Sequence, residues 1–444
     1  PGAALTVTAA ATAVALMNYT APMLTLPDTA AAFGTPPSAQ AWLLNGTPLG
    51  LAVLLLVAGS LADAHGRRRI FLLGTLALGL TTALGALADS TLTFTAARIA
   101  QGAASAAVLA GSLGLLAHAY PAGRDRIRAT GIWGASVSAG IALGPLLAGA
   151  LSLADWRLVY GTLGAAALVI AGAGARALRA DETKREGSGS RPDIAGATAL
   201  GLALAALLTA LTLGRDGWLR PQVGLLLFAA VALTALFVAV ERRSRTPMVD
   251  LALLRRPAFL ASTLGALFTG LAVIGLFSVV PALLQGGAGM SPLGAAWLFV
   301  LWSGTAFLVA LQARRLPARL SAPYQLALGF ALSAAGVLAL LGGLEGPTAS
   351  WSRLLPGLLV AGAGSGLLNA ALPRLAVDSV PPERAAMGSG ANNTARYIGS
   401  SAGVALMLAL ATAGTGPDTA VVVSAALAVT GAVVTLTLGR RPRR

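Results

Sequence analysis

The sequence predicts an all-helical protein that crosses a membrane fourteen times, and three observations predict it. Of its 444 residues, 56% are hydrophobic and only 11% are charged, against about a quarter charged residues in ordinary soluble domains. Apolar runs of about 20 residues, the length that crosses a bilayer as a helix, recur along the whole chain. Most joins between these runs are short, which favours one compact bundle over spans that tether soluble domains.

The apolar segments divide into groups of six, two and six. The longest polar stretch, from Arg176 to Asp193, follows the first six and has the composition of a flexible linker. We therefore expect an N-terminal six-helix half over 1–178, a linker with two inserted helices over 179–245, and a C-terminal six-helix half over 246–444. The predicted spans are 5–27, 41–62, 70–88, 92–119, 129–151, 157–178, 194–214, 222–240, 258–284, 292–312, 323–343, 353–376, 385–413 and 417–438.

The distribution of charge predicts the orientation of the chain. The net charge is +15, from 31 basic and 16 acidic residues, a balance that suggests nucleic-acid binding in a soluble protein. With the N-terminus in the cytoplasm, however, 25 basic residues lie on the cytoplasmic side and four lie outside, as the positive-inside rule requires. We expect a multi-pass protein of a bacterial plasma membrane with both termini in the cytoplasm, and no nucleic-acid partner.

The sequence offers little for enzyme chemistry. It has no cysteine, which excludes disulfides, thiol catalysis and thiolate metal sites. Its two histidines, His65 and His118, are far apart in sequence, and no phosphate-binding G-x-x-x-x-G-K-[ST] loop is present. We expect no catalytic residues, no metal and no cofactor.

The loop between the second and third spans reads Gly-Ser-Leu-Ala-Asp-Ala-His-Gly-Arg-Arg-Arg over 59–69. Glycines permit a tight turn, and a carboxylate there can accept hydrogen bonds from arginines or from a helix N-terminus. The loop resembles the signature G-x-L-A-D-x-x-G-R-R of the major facilitator superfamily. The resemblance implies a gate that latches the cytoplasmic side when the transporter is open to the outside. The gate residues it implies are Gly59, Asp63, Gly66, Arg67 and Arg68.

The fifth span contains a second match, Gly-Ile-Ala-Leu-Gly-Pro-Leu-Leu-Ala-Gly over 140–149. Small residues four apart allow two helices to pack closely, and a proline bends its helix. The stretch resembles the G-x-x-x-G-P-x-x-G-G motif of exporters in this superfamily, with an alanine in place of one glycine. Plain helix packing is the alternative interpretation. The matching residues are Gly140, Gly144, Pro145 and Gly149.

Shorter matches cover the rest of the chain. Arg98, Gln101 and Gly102 resemble the R-x-x-Q-G motif of the fourth span, and 393–403 in the thirteenth span also fits the family. With the two inserted helices, the chain resembles the fourteen-helix drug:proton antiporter branch, which includes bacterial multidrug and antibiotic exporters. The resemblance implies a monomeric transporter that exports a small organic molecule by alternating access, in exchange for protons.

One departure from the family pattern bears on the substrate. The family's first span usually carries an aspartate in the pattern D-x-T-x-x-x-x-x-L-P, and here Asn18 stands at the acidic position. The 16 carboxylates all fall on the outer or the inner side and none mid-membrane, which leaves Arg98 and Arg396 as the mid-membrane charges. Such a charge costs about 2.5–3.5 kcal/mol unless it faces a partner or a wet cavity. We therefore expect a neutral or anionic substrate rather than a cationic one.

Polar and aromatic residues of the predicted spans supply the candidate substrate site. Asn18 and Arg98 lie at similar predicted depth in the first and fourth spans, so their side chains are expected to meet. Buried amides also hold helices together, which is an alternative role for each of them. The candidates are Asn18, Tyr19, Arg98, Gln101, Trp133, Asn369, Asn393, Arg396 and Tyr397.

Because no carboxylate is predicted mid-membrane, the proton that couples to transport is expected to bind a titratable group near the end of a span. The candidates are Asp28, Asp89 and His118. A uniporter, or a sugar or metabolite exporter of the same fold without proton coupling, is an alternative. The second alternative belongs to another class of function: a membrane scaffold or receptor that does not transport. The gate motif and the intramembrane arginines argue against it.

Overall fold

The structure is a computed structural model that describes residues 2–120, 124–178, 194–214, 217, 219–244, 253, 255–313, 320–346, 350–381, 385–412 and 416–439. Within these ranges the regular elements are helices, as predicted. The predicted linker, 179–193, lies outside the described residues.

The described part of the first predicted half contains seven α-helices, because its first span is divided at Ala21, and one short 3-10 helix, Pro37–Ala39. Pro22 begins the second segment, where the missing proline N–H removes a hydrogen bond from the helix. The helices are α1 (Gly2–Thr20), α2 (Pro22–Phe33), α3 (Gln40–His65), α4 (Arg67–Ala86), α5 (Thr91–Ala119), α6 (Arg124–Leu151) and α7 (Trp156–Ala177).

The rest of the chain continues the same pattern of long apolar helices. One of its spans contains a π-helical segment, Thr269–Ile274, between α10 and α11. The helices are α8 (Ile194–Gly214), α9 (Pro221–Arg243), α10 (Pro257–Phe268), α11 (Gly275–Ala288), α12 (Pro292–Ala313), α13 (Ala322–Leu338), α14 (Trp351–Asp378), α15 (Ala385–Thr412) and α16 (Pro417–Gly439).

Eleven helical stretches of the described residues are long and apolar enough to cross a membrane. Three shorter apolar helices, Gln40–Leu55, Thr198–Gly214 and Ala322–Leu338, coincide with three more of the predicted spans. The positions of the apolar helices therefore agree with the sequence, while the count of fourteen spans stays a prediction.

The two halves repeat one packing scheme. In the first half α5 packs against α3 and α4, and α4 packs against α7; in the second half α14 packs against α12 and α13, and α13 against α16. Across the molecule, α3 contacts α15 and α6 contacts α12. Transporters built from two such repeats change access by rocking one repeat against the other.

The inserted helices lie outside this double repeat. Helix α8 packs on α3 and α15, one helix from each half, and α9 packs on α8. Large apolar side chains of α9 are exposed, including Leu225, Phe228 and Val231. An apolar outer surface is what a lipid-facing helix presents, because lipid chains solvate it.

Candidate substrate site and gates

The bundle has two ends, which we name by the gate motif. The gate-loop end is the one where 59–69 joins α3 to α4, and the far end is the opposite one. Successive spans alternate in direction, and α10 and α11 belong to one span. Therefore α3, α12 and α14 begin at the far end, while α6, α11 and α15 finish there.

Arg98 is held inside the first half by amide side chains. Its Nη1 donates to Oδ1 of Asn18 at 2.7 Å and to Oε1 of Gln101 at 2.6 Å. Each amide is fixed in turn by α4, since Asn18 donates to Thr82 at 2.8 Å and Gln101 donates to the carbonyl of Thr81 at 3.1 Å. Arg98 is 0% exposed, so these neighbours enclose it completely in this conformation.

The other edge of this guanidinium lacks an acceptor. Nε and Nη2 of Arg98 are buried without a hydrogen-bond partner, and its Cζ lies 5.7 Å from the ring centre of Tyr160. The Tyr160 hydroxyl is hydrogen-bonded to Thr25 at 2.8 Å. The aromatic ring partly compensates the charge by a cation–π interaction, whereas an unsatisfied buried donor costs about 1–3 kcal/mol.

Arg396 on α15 is the second arginine within a predicted span. Its Nη1 donates to Oδ1 of Asn369 at 3.2 Å, and its Nε and Nη2 are also buried without a partner. Unlike Arg98, the residue is only partly buried. Neither arginine has a carboxylate partner in the part of the chain that the structure describes.

Tyr19 connects the two halves between these arginines. Its hydroxyl is hydrogen-bonded to Ser400 Oγ on α15 at 2.9 Å, and its ring meets that of Tyr397 edge-on, with centroids 5.7 Å apart. The Tyr19 hydroxyl interacts electrostatically with both Arg98 and Arg396. Six of the predicted substrate-binding residues, Asn18, Tyr19, Arg98, Asn369, Arg396 and Tyr397, are thus brought into one polar zone that crosses the boundary between the halves, and Gln101 joins it through Arg98.

The remaining two substrate-binding candidates contact other groups. Trp133 Nε1 donates to Thr12 at 2.9 Å and to Ser112 at 3.0 Å, which ties α6 to α1 and α5. The Asn393 amide donates to the carbonyl of Ser389 at 3.1 Å, one turn earlier on α15. Both side chains are part-buried, and these bonds leave their predicted contact with substrate untested.

Polar contacts join the halves toward the far end. Asn45 Nδ2 donates to the carbonyl of Ser401 at 3.1 Å, from α3 to α15. Gln285 Nε2 donates to the carbonyl of Leu24 at 3.1 Å, from α11 to α2. These bonds hold the far end together in this conformation.

The glycines of the fifth-span motif allow α6 to pack closely against two different helices. Gly140 and Gly144 face α1, where a Cβ on Gly144 would lie 2.7 Å from the carbonyl oxygen of Met17. Gly149 faces the other half, where a Cβ would lie 2.8 Å from that of Ala296 on α12. The first pair therefore serves packing within one half, and Gly149 serves the contact between halves. The remaining motif residue, Pro145, lies inside α6.

The gate motif forms the sharp turn that its glycines predict. Gly66 ends α3 with φ of 98°, a conformation that favours glycine, and α4 begins at the next residue. Arg67 donates to the carbonyl of Gly114, and Arg68 donates to the carbonyls of Ala175 and Leu178, each of the last two at 3.0 Å. Arg68 thus satisfies carbonyls at the C-terminal end of α7, where the helix dipole also favours a cation. The Asp63 side chain lies outside the described residues, and Gly59, with nothing near its Cβ position, is open.

The proton-coupling candidates differ in their surroundings. Asp28, just beyond the predicted first span, is partly buried, and this burial raises the pKa of its carboxyl; the nearby Asp155 carboxylate raises it further. Asp89 is exposed and accepts from the Thr93 hydroxyl at 3.2 Å. The His118 side chain lies outside the described residues.

Sequence reasoning missed the residues that complete this zone. Ser400 is not among the candidates, although it lies within the stretch 393–403 that fits the family. Tyr160 and Gln285 had no motif to mark them, and only the packing of distant helices brings them to the site.

Two sets of helices that repeat one packing scheme, with buried polar groups where they meet, define a membrane transporter rather than an enzyme. The family model of the Major Facilitator Superfamily matches residues 8–404. The chain belongs to this superfamily, which confirms the family expected from the motifs.

Relatives and solved structures agree with this membership. The chain is 32% identical over 385 residues to the multidrug resistance protein Stp of Mycobacterium tuberculosis, covering 86% of this chain and 70% of that protein. It is 32% identical over 418 residues to the puromycin resistance protein of Streptomyces alboniger, covering 93% and 82%. It resembles the fold of a bacterial homologue of the human lysosomal transporter Spinster in an inward-facing conformation, with a TM-score of 0.70 at 16% identity over 98% of this chain and 96% of that chain.

Proposed function

We propose that this protein exports small organic molecules of the antibiotic type across a bacterial plasma membrane by alternating access, in exchange for protons. It works as a monomer of fourteen spans with both termini in the cytoplasm, and the two inserted helices lie outside the halves at 1–178 and 246–444. The relatives support export, since they include the multidrug and puromycin resistance proteins and a cephamycin export protein of Amycolatopsis lactamdurans.

The observation that carries the proposal is the set of contacts between the halves. Asn45 with Ser401, Gln285 with Leu24, and Gly149 with Ala296 all lie toward the far end. With the gate-loop end in the cytoplasm, these contacts close the outer side, which is the state in which an exporter takes up its substrate. Breaking them and closing the gate-loop end would release the substrate outside.

Transport by purified protein in liposomes tests the proposal. Export of puromycin, an amine, and of a cephamycin, a carboxylic acid, should be measured with and without a pH gradient across the vesicle membrane. We expect faster export of at least one compound when protons flow in the opposite direction. Absence of export of any compound in the panel, with protein that is correctly inserted, would support the scaffold alternative.

Transport without proton coupling is a second candidate, favoured by one observation. Asn18 stands at the family's acidic position, and its amide oxygen accepts from Arg98 where a carboxylate would pair with it. If export rates follow the substrate gradient and ignore the pH gradient, the uniporter alternative is correct.

We expect the Asp28→Asn variant to lose most of the pH dependence of transport. Burial and Asp155 raise the pKa of Asp28, so its carboxyl takes up a proton at a higher pH than an exposed aspartate. Because the pKa of Asp28 is higher in the folded protein than its ordinary value of 3.8, the folded protein loses stability as the pH rises from 3.8 through the folded pKa. The Asp28→Asn variant cannot ionise at this position and should not show that loss of stability. Transport rates and unfolding midpoints between pH 4 and 8 measure both effects.

The exposed Asp89 provides the matched control. The Asp89→Asn variant should keep the pH profile of the unmodified protein, because this carboxyl lies in water. Equal pH profiles for Asp28→Asn and the unmodified protein would show that Asp28 does not couple protons.

A further inference from the structure

Arg396 presents a binding edge for which the described chain supplies no acceptor. The Asn369 amide accepts from Nη1 and so orients the guanidinium plane, while Nε and Nη2 stay buried without a partner. Nε and Nη2 form one edge of a guanidinium, and that edge donates two parallel hydrogen bonds to a carboxylate.

Two tyrosines lie near Arg396. Tyr397 follows it on α15, Tyr19 lies on α1 of the other half, and the two rings meet edge-on with centroids 5.7 Å apart. Both tyrosines are less than 10% exposed. A cation beside two aromatic rings matches a ligand that has a flat apolar body and a planar negative group.

Arg396 is better placed to bind a ligand than Arg98. Arg98 is 0% exposed and its Nη1 has two amide acceptors, which integrates it into the packing of one half. Arg396 as a whole residue is only partly buried and has a single amide acceptor, although its Nε and Nη2 are themselves buried in this conformation. It also lies where α1 of one half meets α15 of the other, a contact that must change when the halves rock.

We propose that Arg396 binds the carboxylate of an aromatic organic substrate through Nε and Nη2, with the rings of Tyr19 and Tyr397 against its aromatic body. This inference rests on the proposed function and narrows its substrate class to aromatic carboxylates. An inorganic anion carries the charge but has no apolar body to contact the two rings.

Binding to the purified protein tests the inference with three probes. Thermal unfolding is followed during titration with 2-naphthoate, with its neutral isostere 2-naphthamide, and with sodium chloride alone. We expect saturable stabilisation by 2-naphthoate with a Kd at least tenfold below that of 2-naphthamide. Chloride should neither stabilise the protein comparably nor compete with 2-naphthoate.

Two variants locate the site and one serves as a control. Arg396→Lys keeps the charge but loses the planar edge, and Asn369→Asp places a carboxylate beside Nη1 that neutralises the arginine. Each should weaken 2-naphthoate binding at least tenfold and leave 2-naphthamide binding within twofold. Arg374→Gln removes one arginine charge near the gate-loop end of α14 and should leave both affinities within twofold.

Several outcomes would overturn the inference. Equal affinity for the acid and the amide, unchanged 2-naphthoate binding in both variants, or displacement of 2-naphthoate by chloride at similar affinity would each do so. Asn369→Asp keeps the test decisive if Arg396→Lys fails to fold. If the protein exports puromycin or cephamycin but does not bind 2-naphthoate, the inference about Arg396 is wrong and the proposed export stands. If the protein binds 2-naphthoate but exports none of the compounds, the proposed export is wrong and the inference about Arg396 stands.

Discussion

The Asn18→Asp variant is expected to be more stable than the unmodified protein and to change which charge its substrates carry. Asn18 Oδ1 already lies 2.7 Å from Nη1 of Arg98, so an isosteric carboxylate forms an ion pair once the Thr82 hydroxyl turns to donate to it. A charge-assisted hydrogen bond in place of a neutral acceptor should add about 1–3 kcal/mol to the free energy of unfolding. Thermal unfolding of the purified variant measures this gain.

The change in selectivity has the same physical origin. Arg98 and Arg396, which have no carboxylate partner within the described ranges, leave a positive field in a low-dielectric region, which repels a cation and attracts an anion. An aspartate at position 18 neutralises part of this field. We expect weaker binding of 2-naphthoate, and export of ethidium that the unmodified protein lacks.

The Asn18→Leu variant is the contrasting control. It removes the acceptor without adding a charge, so it should lower the free energy of unfolding by about 1.5–3 kcal/mol. An unfolding midpoint for Asn18→Asp at or below that of the unmodified protein would contradict the expected ion pair. Ethidium export by the unmodified protein, at the affinity of an anion, would contradict the charge argument.

Much of the fold could be predicted from the sequence because lipid imposes a simple rule. A helix that crosses the bilayer must be apolar over its length, so the apolar runs locate the helices. The π-helical segment Thr269–Ile274 could not be predicted, since hydropathy does not distinguish i→i+5 from i→i+4 bonding. The segment lies where Gly270 and Gly275 pack against the backbone of α15 at Ser400 and Gly403, a contact between helices distant in sequence.

The candidate site could be predicted in part for a similar reason. Depth along helices can be counted, and Asn18 and Arg98 at equal depth are indeed hydrogen-bonded. Counting cannot say which edge of a guanidinium stays unpaired. Nor can it bring Tyr19 of the first half to Ser400 of the second, because that bond depends on how the halves dock.

The Gly149→Leu variant is expected to lose at least tenfold in transport rate while keeping its fold. A Cβ at this position would lie 2.8 Å from the Ala296 Cβ and 3.0 Å from the Pro292 carbonyl oxygen, so a leucine side chain must push α6 and α12 apart. The contact joins the two halves and lies within neither, so each half can still fold. The far end would stay open, and the cycle would stop in one state.

Spin labels can measure this separation directly, because the chain has no cysteine that competes with introduced ones. Cysteines in place of Leu153 and Trp351, exposed residues near the far end of each half, should report a longer distance in Gly149→Leu. The Gly161→Leu control adds the same side chain where nothing lies within 4 Å of the Cβ, and should leave distance and transport unchanged. A leucine at position 149 hinders closure of the far end and does not hinder its opening. Normal transport by the Gly149→Leu variant would therefore show that α6 and α12 need not come together at the far end during the transport cycle.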